Sequence, residues 1–268
     1  MIGIFGQERE EVATLLNNVT INQTRTIGNM TIYNVTYNGH NFYIIVSGVG
    51  KANVAFSLGY ALVKLCVKKV IVVGNAAGLE ATASPIGSVG IATNALEWDV
   101  DFTSLGVDDY VVPPNIVSQY PVDVRLQKAA LDASNGLGYQ TVTGLIASGD
   151  TFVASTTEAT QIATDTEADF LDIDSAPIGQ ISYQMNIPYI SVKGISNYAN
   201  DTAVTDYNTN RVTANNLSNR VVLEMLNDLF ECETNICCNS NEGTTTIACP
   251  CNNRGYINNF YYNRYNLF

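Results

Sequence analysis

Histidine is almost missing from this 268-residue chain, with His40 the only one. One imidazole leaves no basis for a histidine-built metal site or a Ser-His-Asp triad. Any chemistry must fall to carboxylates, amides, hydroxyls and backbone groups. Cationic side chains are scarce too: 13 Lys and Arg stand against 25 Asp and Glu, a formal net charge of −12. Without a basic surface to displace counterions, nucleic acid is excluded as a partner. No apolar run approaches the roughly 18 residues of a membrane span. Charged residues make up only 14% against 46% hydrophobic, which excludes a disordered chain. No basic and apolar leader opens the sequence; Met1 to Gly6 reads as a short buried strand, followed at once by Glu8-Arg9-Glu10-Glu11.

What is present is an alternation of apolar runs and helical stretches, the pattern of a three-layer α/β domain over residues 1–231. Strands are expected at Ile2–Phe5, Met30–Tyr37, Phe42–Ser47, Lys69–Val73, Ser88–Thr93, Thr141–Ala147 and Tyr189–Val192. Helices are expected at Glu8–Leu16, Ala52–Leu65, Val122–Ala133, Ala176–Met185 and Tyr207–Phe230. Several strands run into glycine-bearing turns: Gly6, Ser47-Gly48-Val49-Gly50, Gly74-Asn75-Ala76-Ala77-Gly78 and Ser148-Gly149-Asp150. Such turns let backbone amides approach a ligand at the carboxyl ends of strands, where α/β sheets place their sites.

These turns carry a resemblance. Ser47-Gly-Val-Gly-Lys51-Ala-Asn53 is similar to the SGxGKxN turn of the nucleoside phosphorylase superfamily, and Gly74-Asn-Ala-Ala-Gly78 to its GSAGG loop. Trp98-Asp-Val-Asp-Phe-Thr103 stands where the family has HDADVT, and Ser148-Gly-Asp-Thr-Phe152 matches SGDxF. Asp172-Ile-Asp-Ser-Ala176 stands for EMEA, and Lys193-Gly-Ile-Ser-Asn197 for RxISD. The branch most resembled is the methylthioadenosine/S-adenosylhomocysteine nucleosidases. The resemblance implies a central mixed sheet flanked by helices and cleavage of a purine N-glycosidic bond, with a purine nucleoside as ligand and no metal or other cofactor.

It also assigns roles. Glu11 activates water, Asp174 binds the ribose diol, and Asn197 faces purine N7. Phe152 stacks on the base while the Val153 backbone pairs with its edge. Ser47, Gly48, Asn75, Asp172 and Ile173 complete the expected substrate-binding set, Ile173 lying under the sugar. Two of the polar positions depart from the family pattern. Asp174 is one methylene shorter than the usual glutamate. Asn197 replaces an acid, and an amide delivers no proton to a leaving nitrogen, a step typically worth about 10²–10⁴-fold. No arginine sits in a glycine turn, as a phosphate pocket normally requires, so water is the better nucleophile.

Past residue 231 the composition changes. Cys232, Cys237, Cys238, Cys249 and Cys251 cluster after a body whose only cysteine is Cys66. Their spacing does not match zinc knuckles and reads as a disulfide set, with Tyr256, Phe260, Tyr261, Tyr262, Tyr265 and Phe268 forming an adhesive end. Residues 232–268 are therefore expected to be a separate Cys- and Tyr-rich extension. Two functions remain open. One is a degraded nucleosidase site on a homo-oligomer or filament assembled through that extension. The other is an active purine nucleosidase acting on methylthioadenosine- or S-adenosylhomocysteine-like nucleosides. The extension and the low lysine content favour an extracellular or particle-associated setting, and the lack of a visible leader a cytoplasmic one. N-x-S/T sites at Asn18, Asn22, Asn29, Asn34, Asn200 and Asn216 are about as many as abundant Asn, Ser and Thr give by chance.

Overall fold

The structure, a computed structural model, describes residues 1–79 and 84–238, with side chains as far as residue 230. Its centre is parallel. Strand β1 (Ile2–Gly6) pairs with β4 (His40–Val46) on one side and β5 (Lys69–Val72) on the other. Next to β5 lies β11 (Tyr189–Tyr198), again parallel. Ile4, Ile71, Ile190 and Val192 are fully buried, as continuous apolar runs covered on both faces require. Each such side chain contributes roughly 1.5–3 kcal/mol by leaving water.

Antiparallel hairpins extend the sheet outward through β3 (Met30–Tyr37) to β2 (Thr20–Ile27). On the other side come β6 (Asn75–Gly78), β10 (Phe170–Asp172), β9 (Thr141–Ser148), β7 (Val89–Glu97) and β8 (Tyr120–Pro121). β7 also pairs back with β11, so β11, β6, β10, β9 and β7 close into a ring. The described helices are α1 (Ala13–Asn17), α2 (Lys51–Lys64), α3 (Val124–Gly136), α4 (Thr156–Thr166), α5 (Ser175–Met185) and α6 (Ala203–Cys238). The architecture is the expected mixed sheet flanked by helices.

Several elements differ from the sequence reading, each for a local reason. β2 was not expected because its residues before Ile27 are all exposed; an edge strand held by one neighbour needs no apolar face. Asn75–Gly78 was read as a turn, but it is a short strand between β11 and β10. Thr156–Thr166 is a threonine-rich helix of low intrinsic propensity, started by Ser155, whose side chain accepts from the Glu158 amide. The helix expected from Val122 begins at Val124, because Asp123 caps it by accepting from the Arg125 and Leu126 amides. The stretch Glu8–Leu16 splits into a 3-10 turn, Arg9–Val12, and α1.

The expected boundary at 231 falls inside α6. Cys249, Cys251 and the aromatic end lie outside the described residues, as do the side chains of Cys232, Cys237 and Cys238. Cys66, which the sequence reading left out of the disulfide set, is itself disulfide-bonded.

Candidate active site

The segments that follow β1, β4, β9 and β10, together with β6 and the end of β11, enclose a cavity of about 270 Å³. Its walls include Glu11 after β1, Val49 after β4, Asn75 to Ala77 on β6 and Thr151 to Val153 after β9. Leu171, Asp172 and Ile173 at the end of β10, Asn197 in β11 and Tyr207 on α6 complete much of the rest. The fold thus gathers Glu11, Asn75, Phe152, Val153, Asp172, Ile173 and Asn197 around one space. Ser47, Gly48 and Asp174 stand behind the wall. Ser47 is buried with its hydroxyl donating to the Gly48 carbonyl at 2.8 Å, and the Gly48 amide donates to Gln7 O at 3.0 Å. Their work is to hold the β1 and β4 ends together.

Glu11 is no exposed helix-start acid; it is 7% exposed. The tight 3-10 turn after β1 folds its carboxylate back onto the chain, where Oε2 accepts from the Gln7 amide at 2.5 Å and the Glu8 amide at 3.2 Å. Asn75 Nδ2 donates to Oε1 at 3.4 Å from across the cavity. Burial raises the carboxyl pKa above the ordinary glutamate value, although Lys193 and the two amides pull the other way. Gly74 makes room for this arrangement. Its φ is +125°, and a Cβ there would lie 2.8 Å from Glu11 Oε1. Gly74→Ala is therefore expected to displace Glu11 and to lower both thermal stability and activity, measurable by melting temperature and by nucleoside turnover.

Behind the cavity floor lies a buried charge cluster. Lys193, 1% exposed, donates from Nζ to Asp174 Oδ1 at 2.7 Å and to the Val73 carbonyl at 3.1 Å. Asp172 Oδ2 lies 3.4 Å from the same Nζ. Burial opposes the ammonium, but Asp174, Asp172 and Glu11 outweigh it and raise the lysine pKa. Burial also pushes Asp174 well above the ordinary aspartate value, helped by Asp172 and Glu11 and opposed by Lys193. Lys193→Met would leave these acids without their cation. It is expected to destabilise the protein by about 3–5 kcal/mol, read from a denaturant midpoint.

Asn197 is 2% exposed, and its amide is held at both ends. Oδ1 accepts from the Ser196 hydroxyl at 2.7 Å, and Nδ2 donates to the Tyr198 carbonyl at 2.9 Å. One Nδ2 hydrogen is left for a ligand. Across the cavity, Phe152 meets Tyr207 edge-on with centroids 5.5 Å apart, and Arg211 lies over the Tyr207 ring while pairing with Glu10. The two rings touch each other and form one apolar stretch of the cavity wall, against which a flat base can pack. Tyr207 was missed in the sequence reading because nothing in the helical spacing separates a cavity-facing tyrosine from an exposed one. Lysine and arginine are both absent from the described lining.

The remaining motif residues lock the loops. Lys51 Nζ reaches Glu97 at 2.8 Å and Asp99 at 2.6 Å, and Asp150 accepts from the Lys51 amide at 2.8 Å. Gly149 is required where Trp98 packs, since a Cβ there would sit 2.6 Å from the indole. Three of the sequence motifs thus meet at one ion-paired joint beside the cavity.

A family model described as the phosphorylase superfamily matches residues 1–227. The 5'-methylthioadenosine/S-adenosylhomocysteine nucleosidase of Anoxybacillus flavithermus is 30% identical over 230 residues, spanning 85% of this chain and 98% of its own length. Among solved structures, the Neisseria meningitidis nucleosidase of the same name, in complex with methylthio-immucillin-A, superposes with a TM-score of 0.81 at 26% identity, covering 85% of this chain and 98% of that one. Futalosine hydrolase of Helicobacter pylori superposes at 0.80 with 20% identity over 85% of this chain and 97% of that one, a likeness of fold alone.

Proposed function

The chain belongs to the phosphorylase superfamily, and on that premise we propose that it binds purine nucleosides in this cavity and hydrolyses their N-glycosidic bond slowly. Methylthioadenosine-like nucleosides are the first substrates to try, given the names of its relatives. The observation that carries the reading is Glu11, a buried carboxylate fixed by two backbone amides and facing the same space as Asn197 and Phe152. Glu11 takes a proton from the attacking water. The base packs against the Phe152–Tyr207 wall, and Asn197 donates a hydrogen bond to N7 of the departing purine without transferring a proton, so the purine leaves as an anion and takes its proton from solvent. Catalysis then rests on water activation and binding, so turnover falls short of an enzyme with an acid at that position. The absence of cationic side chains from the described lining favours water over phosphate as nucleophile.

The expected filament through residues 232–268 gains no support from the nucleosidase relatives, and those residues other than 232–238 lie outside the described part.

The raised Glu11 pKa has two consequences. The base must be ionised, so kcat/KM is expected to fall as pH drops through a value above the ordinary glutamate range. Stability runs the other way. A carboxyl with a folded pKa above its unfolded one binds its proton more tightly in the native state, so stability is lost as pH rises from the unfolded value through the folded one. A pH–rate profile and a pH series of denaturant midpoints read these separately. The function itself is tested by incubating purified protein with methylthioadenosine and following adenine by chromatography. Slow release above the protein-free control is expected; no release at stoichiometric protein would refute the reading.

A further inference from the structure

The family resemblance gives Asp174 the sugar diol, yet the structure withdraws that carboxylate from the cavity. Oδ1 is held by Lys193 at 2.7 Å, and Oδ2 is sealed from solvent with no partner among the described residues. An oxygen that water does not reach is closed to a sugar hydroxyl, which is no smaller. Asp172 borders the cavity, but its oxygens are already occupied. Oδ1 accepts from the Ser148 hydroxyl at 2.5 Å and the Ser175 amide at 3.3 Å, and Oδ2 from the Ser175 hydroxyl, with Lys193 3.4 Å away. Between them, Ile173 offers only hydrocarbon to the space. Glu11 is turned to Gln7, Glu8 and Asn75.

We infer that Lys193 is a positioning residue that holds Asp174 off the sugar, so the pocket takes purine 2'-deoxyribonucleosides about as well as ribonucleosides. The proposal rests on the purine-nucleoside reading above and narrows its substrate class. A carboxylate bonded to the diol would favour the ribonucleoside by roughly ten- to a hundredfold, the usual worth of a hydrogen bond to a charged group. Here Asp174 makes no such bond, and Ile173 packs under the sugar.

The test is equilibrium binding of adenosine and 2'-deoxyadenosine to the full chain by calorimetry, which needs no turnover. The two Kd values are expected to differ by less than about fivefold, well under what a carboxylate–diol bond gives. Asp174→Glu, one methylene longer, is expected to reach the cavity and create a ribose preference above that threshold, whereas Asp174→Asn should leave the ratio where it was. A merely structural role for Asp174 would move affinity for both nucleosides together and leave their ratio unchanged in both variants. A ribose preference of about fivefold or more in the unmodified protein would overturn the proposal even if the variants failed to fold. Absence of binding by either nucleoside would instead overturn the purine-nucleoside reading, and this proposal with it.

Discussion

Asn197→Asp is expected to raise kcat for adenine release by about 10²–10⁴-fold, the typical worth of a general acid. The site is already built to keep such an acid protonated. The Asn197 Nδ2 lies 2.9 Å from the Tyr198 carbonyl, and an unprotonated oxygen in that place would face another oxygen. Near-complete burial acts in the same direction, since it disfavours the charged form. The Ser196 hydroxyl still donates to the other carboxyl oxygen, so the side chain keeps its orientation. The new carboxyl therefore titrates above the ordinary aspartate value, and its single proton, which faces the Tyr198 carbonyl at rest, is the one passed to the leaving purine. Because Asn197 already offers a hydrogen bond to the bound base, KM should change little. Steady-state kinetics on the two proteins, side by side, check this. Equal kcat values would mean that leaving-group protonation does not limit the reaction.

Glu11→Gln is expected to have the opposite effect on rate, a loss of about 10²–10⁴-fold in kcat, because the amide accepts no proton from water. The change keeps the shape of the side chain but not its pairing. Its one oxygen can still receive the Gln7 and Glu8 amides, and its NH₂ then meets Asn75 Nδ2, donor against donor at 3.4 Å. That contact is long enough to relax. Burial disfavours ionised Glu11, so at pH 8 a neutral side chain relieves a cost the native protein carries. The variant should therefore melt no lower than the parent while losing activity. A large drop in melting temperature would show that Glu11 is structural and the rate loss indirect.

Much of the scaffold was readable from residue order. Continuous apolar runs such as Val70–Val72, rich in β-branched residues, read as strands buried on both faces, and the glycine turns mark where they end. The elements that escaped lack such a mark. β2 buries no apolar face, and α4 is built of threonines whose helix is decided by its Ser155 cap and its packing. In the site, Glu11, Phe152 and Asn197 were legible because motifs fix them relative to strand ends. The orientation of Asp174 was not legible, for a physical reason. Its motif gives the position in the chain, but the direction of its carboxylate is set by Lys193, nineteen residues on, through a buried ion pair. The role of Lys193 in turn depends on two acids converging in space, which linear spacing does not encode. Cys66 is a similar case: nothing in its place in the sequence marks it as disulfide-bonded.

The most direct test of the central claim, that this cavity hydrolyses nucleosides with water activated at Glu11, is product analysis in ¹⁸O-labelled water. Purified protein, methylthioadenosine and inorganic phosphate are incubated together, and the sugar product is weighed by mass spectrometry. The account predicts free adenine and a sugar carrying one ¹⁸O at its anomeric carbon, with no such product from Glu11→Gln in the same time. A sugar 1-phosphate, or labelled sugar formed equally well without the Glu11 carboxylate, would contradict it.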